Sequence, residues 1–196
     1  MKYVYLFNEP KERNTIEKIG TNASYLSNIS NLGLNVPNGF VITTDVCNEY
    51  YENNRQINHN IKEQINEYIH KLEQLTKKSF GGNYNPLLLS IRCSLKNEVP
   101  SIMNSISNVG LTDEIVENLS KGTNNFIWIW ECYFNFINDY AKCVMNVDLE
   151  TYEYIKDVLN SKKTTLSIEK LEMLLSKLKR EYKVKTKIDF PNNTEE

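Results

Sequence analysis

The stretch Asn31-Leu32-Gly33-Leu34-Asn35-Val36-Pro37-Asn38-Gly39-Phe40-Val41-Ile42-Thr43-Thr44 decides the fold class, because it holds a helix end, a turn, a strand and the start of another helix. Upstream, Leu26, Ile29 and Leu32 repeat at helical spacing from Asn22, and Gly33 stands where a left-handed residue closes a helix. Val36 to Gly39 is turn chemistry, and Phe40-Val41-Ile42-Thr43 is a β-branched run of strand type. Thr44 or Asp45 can cap the next helix through Tyr51. Before all of these, Tyr3-Val4-Tyr5-Leu6-Phe7 turns polar at Asn8, a first strand with no leader-peptide cleavage signal. The order is strand, helix, strand, helix, the opening of a mixed α/β lobe.

Downstream, Ile57, Ile61, Ile65, Tyr68, Ile69, Leu72 and Leu75 form one stripe on a helix of about five turns. The face of Ile61, Ile65, Ile69 and Leu72 is expected against the sheet. After the breakers Gly81-Gly82-Asn83 and Asn85-Pro86, the continuous apolar run Leu87-Leu88-Leu89-Ser90-Ile91 predicts a fully buried strand. Past Val109-Gly110-Leu111, Thr112 caps a helix to Lys121, Gly122 stops it, and everything beyond reads as helix. The fold class is therefore α+β, with a mixed lobe over 1–111, a helical lobe over 112–186 and a polar, frayed tail over 187–196. The last helix runs from Ser167 with Leu171, Leu174, Leu175, Leu178 and Tyr182 on one face.

Several function classes are excluded by composition. At 196 residues, 40 % hydrophobic and 24 % charged, the chain is globular. A net charge of −2 lacks the basic excess of nucleic-acid readers, so no nucleic acid is expected as a partner. No membrane is expected either: the most apolar segment, Phe126 to Met145, carries Glu131, Asp139 and Lys142, each costing about 2.5–3.5 kcal/mol at a bilayer centre. Cys47, Cys93, Cys132 and Cys143 show no CxxC pair, which points away from zinc knuckles and disulfide frameworks and toward a reducing, cytoplasmic compartment. His59 and His70 stand about 16 Å apart along one helix and cannot share a metal.

Two places suggest an anion site. Arg92 ends a strand, where side chains of α/β sheets reach ligands, and its guanidinium suits bidentate capture of a phosphate with Lys96 as a second charge. Pairing of Arg92 to a carboxylate or a helix end is an equally good reading of its position. Gly20-Thr21-Asn22-Ala23-Ser24 precedes a helix whose free amides favour an anion, although one glycine is fewer than phosphate loops normally have. An ordinary helix cap explains it as well.

Beyond these local patterns, three stretches together resemble the N-terminal, ATP-binding part of the pyruvate, phosphate dikinase family: Met1 to Asn8, Asn31 to Thr44, and Leu87 to Arg92. Asn48 to Asn53, Val99 to Leu111 and Thr123-Asn124-Asn125 extend the match collinearly over nearly the whole chain. The resemblance implies the first two subdomains of an ATP-grasp fold, with ATP and Mg²⁺ as ligands and phosphoryl transfer to a carrier histidine in the intact enzyme. It also implies nucleotide contacts at Gly20, Asn22, Arg92 and Lys96.

Departures from the family pattern bear on activity. The family's Gly-Gly-Lys-Gly-Ala-Asn-Leu loop falls on Gly20 to Leu26, so its lysine is Asn22 here. Lys96 stands for a second arginine, and Val99-Pro100-Ser101-Ile102-Met103-Asn104-Ser105 replaces an aspartate by Asn104. Tyr-Arg-Arg-Phe becomes Tyr133-Phe134-Asn135-Phe136. Losing one arginine that stabilises a transferring phosphoryl group can cost about 10³–10⁵ in rate, so this chain alone is expected not to catalyse and to bind ATP weakly or not at all. The alternative is a non-catalytic protein-interaction module. The substituted residues favour a shortened relic over a piece of a longer enzyme. A missing third subdomain is expected to leave apolar surface around Phe126, Trp128, Trp130, Phe134, Val4 and Leu6, open to self-association or to a chain that supplies the absent lobe. Filling of the helical lobe's own core by those aromatics is the competing reading.

Overall fold

A computed structural model describes residues 1–9, 15–93, 105–161 and 166–194. The described residues group into two compact units: Met1–Lys78 with Cys93, and Ser79–Arg92 with the residues from 105 onward. The sequence boundary near Leu111 leaves the hairpin before it with the first lobe, whereas Leu88, Ile106 and Val109 of that hairpin pack on the helical core. None of the four cysteines forms a disulfide.

In the first unit, β1 (Val4–Leu6) pairs antiparallel with β2 (Phe40–Ile42), Val4 opposite Ile42. Between them runs α1 (Thr15–Asn31), longer than the sequence suggested and broken at Gly20, where φ is 74°. Ile19 and Ala23 of α1 bury against Val41. Gly33, at φ 77°, closes the helix as expected. Next come α2 (Thr44–Glu52) and α3 (His59–Thr76). The Asn58 side chain caps α3 by accepting from the Asn60 amide at 3.1 Å. Ile61 and Tyr68 of α3 bury with Tyr3 and Val4, Ile65 packs at the margin and Leu72 is buried, whereas Ile57 and Leu75, at the two ends of the predicted stripe, are exposed. His59 and His70 sit on the outer side beside Glu63 and Glu73.

The second unit opens with β3 (Leu89–Arg92), antiparallel to β4 (Ser105–Val109), with Ile91 opposite Ile106. The expectation of a fully buried strand over Leu87–Ile91 is corrected here: Leu87 is buried, but Ser90, Ile91 and Arg92 are exposed. A two-stranded hairpin has two faces, and the helical core covers one of them through Leu88, Ile106 and Val109. At the end of β4, Gly110 takes φ 110°, and a side chain there would press on Phe80 and the Leu87 carbonyl.

The helices α4 (Asp113–Lys121), α5 (Phe126–Cys143), α6 (Glu150–Asn160) and α7 (Ile168–Thr186) complete the unit. Thr112 caps α4, accepting from the Ile115 amide at 3.3 Å, and Gly122 ends it. Trp130, Tyr133, Phe134, Ile137, Leu171, Leu174, Leu178 and Tyr182 are fully buried in one core. The expectation of an exposed aromatic surface is thereby corrected for Trp130, Phe134 and Val4, which are all buried, while Trp128 remains 59 % exposed. The frayed tail is a second correction. Phe190 is buried among Phe136, Tyr140 and Tyr182, and Asn192 accepts from the Asp113 amide at 3.1 Å. One aromatic anchor outweighs the polarity of its neighbours. Among the described residues no helix is long and apolar enough to cross a membrane.

Candidate functional site

The glycine segment is built by a break in a helix. At Gly20 the backbone leaves helical geometry, with φ 74° and ψ 172°, and re-enters it at once. Only glycine adopts that φ without strain, so the break is written into the residue type. Ile19 and Ala23 hold the two sides of the break against β2, and Ser24 and Ser27, further along α1, are buried. Thr44 at the start of α2 donates its hydroxyl to the Glu17 carbonyl at 2.8 Å, fixing the segment from the other side. Asn22 is half-buried, and its amide donates to the Cys93 carbonyl at 3.4 Å. The residue at which the resemblance expects a lysine thus bonds to the chain itself.

Arg92 is the last residue of β3, opposite Ser105. Its side chain is exposed, and the described residues supply it no ion pair. Of the two readings of its position, the pairing to a carboxylate finds no support among the described residues. Lys96 lies outside the described residues, as does the segment from Val99 to Asn104. Gly20 and Asn22 belong to the first unit and Arg92 to the second.

On α5, the two positions where the resemblance expects arginines have structural work of their own. Phe134 is completely buried in the helical core. Asn135 accepts a hydrogen bond from the Tyr152 hydroxyl of α6 at 2.7 Å. Next to them, the Tyr133 hydroxyl donates to Asp113 at 2.9 Å, and Lys179 reaches the same carboxylate at 2.7 Å. Burial, with Asp113 close by, pushes the Tyr133 phenol far above its ordinary value, so it remains protonated as a hydrogen-bond donor. This cluster ties α4, α5 and α7 together. The described residues contain no group of three His, Cys, Asp or Glu side chains placed to hold a metal. A cleft of about 480 Å³ in the second unit is walled by Tyr84, Asn118, Leu119, Thr123 and Trp128, and none of the named site residues lines it. Neither that cleft nor the internal bonds of Asn22 and Asn135 carry any periodic or motif signal.

The α+β chain thus carries a glycine break inside a helix of the first unit and, in the second, an exposed guanidinium at a strand end. The chain belongs to the family described as Pyruvate phosphate dikinase, AMP/ATP-binding domain, which it matches over residues 16–129. It is similar to the pyruvate, phosphate dikinase of Clostridium symbiosum, 37 % identical over 189 residues, which is 93 % of this chain and 21 % of that protein. Those of Rhizobium meliloti and Entamoeba histolytica are each 34 % identical, across 86 % and 78 % of this chain and 19 % and 17 % of theirs. The chain therefore spans about a fifth of the length of these relatives.

Proposed function

We propose that this chain is an ATP-binding-domain framework, of ATP-grasp type, that by itself transfers no phosphoryl group and binds nucleotide weakly, through Gly20, Asn22, Arg92 and Lys96. The cytoplasm is its expected compartment. The observation that carries the reading is Phe134. Where the family resemblance expects a guanidinium, a ring sits fully inside the helical core, and a charge at that point would face a desolvation cost that no phosphate contact repays. Asn135, bonded to Tyr152, and Asn22, bonded to Cys93, support it from two further positions. ATP with Mg²⁺ is the ligand to test, since family membership implies ATP. Where Mg²⁺ would be held is not specified by any described carboxylate cluster.

The second reading is an interaction module without nucleotide binding, favoured by the exposure of Ile91 and Trp128. Isothermal titration with MgATP separates the two. Weak binding, with a dissociation constant above about 0.1 mM, that tightens in Asn22→Lys fits the ATP-binding framework. No heat in either protein favours the interaction module. Low-micromolar binding by the wild-type chain overturns the claim of a weakened site.

A further inference from the structure

The turn that leads into β2 holds a reactive pair. Asparagine recurs throughout the chain, yet Asn38 is the one asparagine followed by glycine. Asn38 is exposed in an irregular bend between Pro37 and β2, so no helix or strand holds its backbone. Among the described residues nothing accepts from the Gly39 amide, and nothing bonds the Asn38 carboxamide. Gly39 itself is required by packing. A Cβ there would run into the Phe7 ring, and the Gly39 carbonyl accepts from the Phe7 amide at 3.1 Å. The fold therefore places at position 39 the residue that least hinders its own backbone nitrogen. Asn35, three residues earlier, is exposed as well, but it precedes Val36, whose branched side chain crowds the amide.

We propose that Asn38–Gly39 is a modification site, at which the chain converts Asn38 to aspartyl and isoaspartyl forms without an enzyme. The Gly39 backbone nitrogen gives its proton to solvent base and attacks the Asn38 carboxamide carbon. The new N–C bond closes a five-membered succinimide, while the carboxamide C–N bond breaks and ammonia leaves with the proton. Water then opens the ring. Cleavage at the side-chain carbonyl leaves aspartate in an ordinary backbone, and cleavage at the main-chain carbonyl leaves isoaspartate. Either product puts a carboxylate into the stretch from Ile19 to Thr44, which holds no Asp, Glu, Lys, Arg or His. The isoaspartyl form also adds one carbon to the main chain directly ahead of the β1–β2 pairing, beside the bond of Phe7 to Gly39. The α-carboxylate it exposes is the group that a repair methyltransferase esterifies with S-adenosylmethionine.

The test incubates the full chain at neutral and at mildly alkaline pH and locates the mass gain of amide-to-acid exchange by fragmentation mass spectrometry. Asn38 is expected to convert at least about tenfold faster than Asn35. Conversion is faster at the higher pH, because the attacking nitrogen must lose its proton. Methyl transfer by an isoaspartyl methyltransferase marks the isoaspartyl fraction. Asn38→Gln, whose longer side chain would have to close a six-membered ring, removes that signal. Hydroxylamine, which opens the succinimide, cuts the folded chain between Asn38 and Gly39. Conversion at Asn38 no faster than at Asn35, conversion that begins only once urea has unfolded the chain, undiminished methylation of Asn38→Gln, or no hydroxylamine cut overturns the proposal.

Discussion

Glu181 shows how much one carboxylate can organise. The helix α6 begins after Leu149, which has no side-chain oxygen to cap it. Glu181 of α7 supplies the cap, its carboxylate accepting from the Glu150 and Thr151 amides at 2.9 and 2.8 Å while Lys185 holds it at 2.8 Å. Burial alone would raise its pKa, but these hydrogen bonds win and hold it at about 2, against an ordinary 4.5. A carboxylate depressed in this way stabilises the fold above its unfolded value, and the contribution disappears as pH falls from about 4.5 through about 2. Glu181→Gln is expected to lower stability by on the order of 1–2 kcal/mol at neutral pH, after allowance for solvent screening. Urea titrations should show the gap from wild type closing as the pH approaches 2; a gap that stays constant in acid would rule out the charged cap. A cap lent by another helix leaves no local pattern. At the candidate site, likewise, the turn at Gly20 and the strand end at Arg92 could be read from residue order. The bond of Asn22 to Cys93 and the burial of Phe134 depend on tertiary neighbours that no spacing encodes.

At the scale of elements, the C-terminal segment after α7 behaves as a strap. Phe190 stacks edge-on against Tyr182, Tyr140 and Phe136 with ring centroids 5.3, 5.5 and 5.6 Å away. Lys179 lies over the same ring at 5.6 Å while holding Asp113, so the strap, α4 and α7 share one set of contacts. Phe190→Ala should cost about 3 kcal/mol and open the Lys187 bond to trypsin. Unchanged melting together with unchanged digestion would show that the segment carries no load. The helices that announced themselves did so through caps and stripes: Thr112 and Gly122 for α4, Ser167 and its leucines for α7. Strap and hairpin escaped for opposite reasons. A single phenylalanine in a polar run gives no period, and the apolar run before Arg92 promised more cover than a two-stranded hairpin can receive.

Taken as a whole, the molecule has unequal cores. The first unit relies on two small clusters around Val4, Ile61 and Tyr68 and around Ile19, Ala23 and Val41, whereas the second has one continuous core from Leu111 to Phe190. Both tryptophans, Trp128 and Trp130, lie in the second unit. Urea unfolding should therefore give two non-coincident curves, with circular dichroism falling before tryptophan fluorescence as the smaller cores are lost first. Coincident curves would mean that the two units unfold as one. Residue order conveyed that there are two parts, but it put the β3–β4 hairpin with the wrong one, since which core claims a hairpin is settled by packing and not by chain order. The helix α1 has one more consequence, at the bench: Tyr25 on it and Leu32 just past its end are exposed. With no lysine or arginine between Lys18 and Arg55, this whole region leaves a tryptic digest as a single long fragment and offers amine-reactive cross-linkers nothing to hold. A footprinting survey that relies on trypsin or lysine chemistry would pass over this face in silence; chymotrypsin, which cuts after Tyr25 and Leu32, is the enzyme that can see whether it is covered.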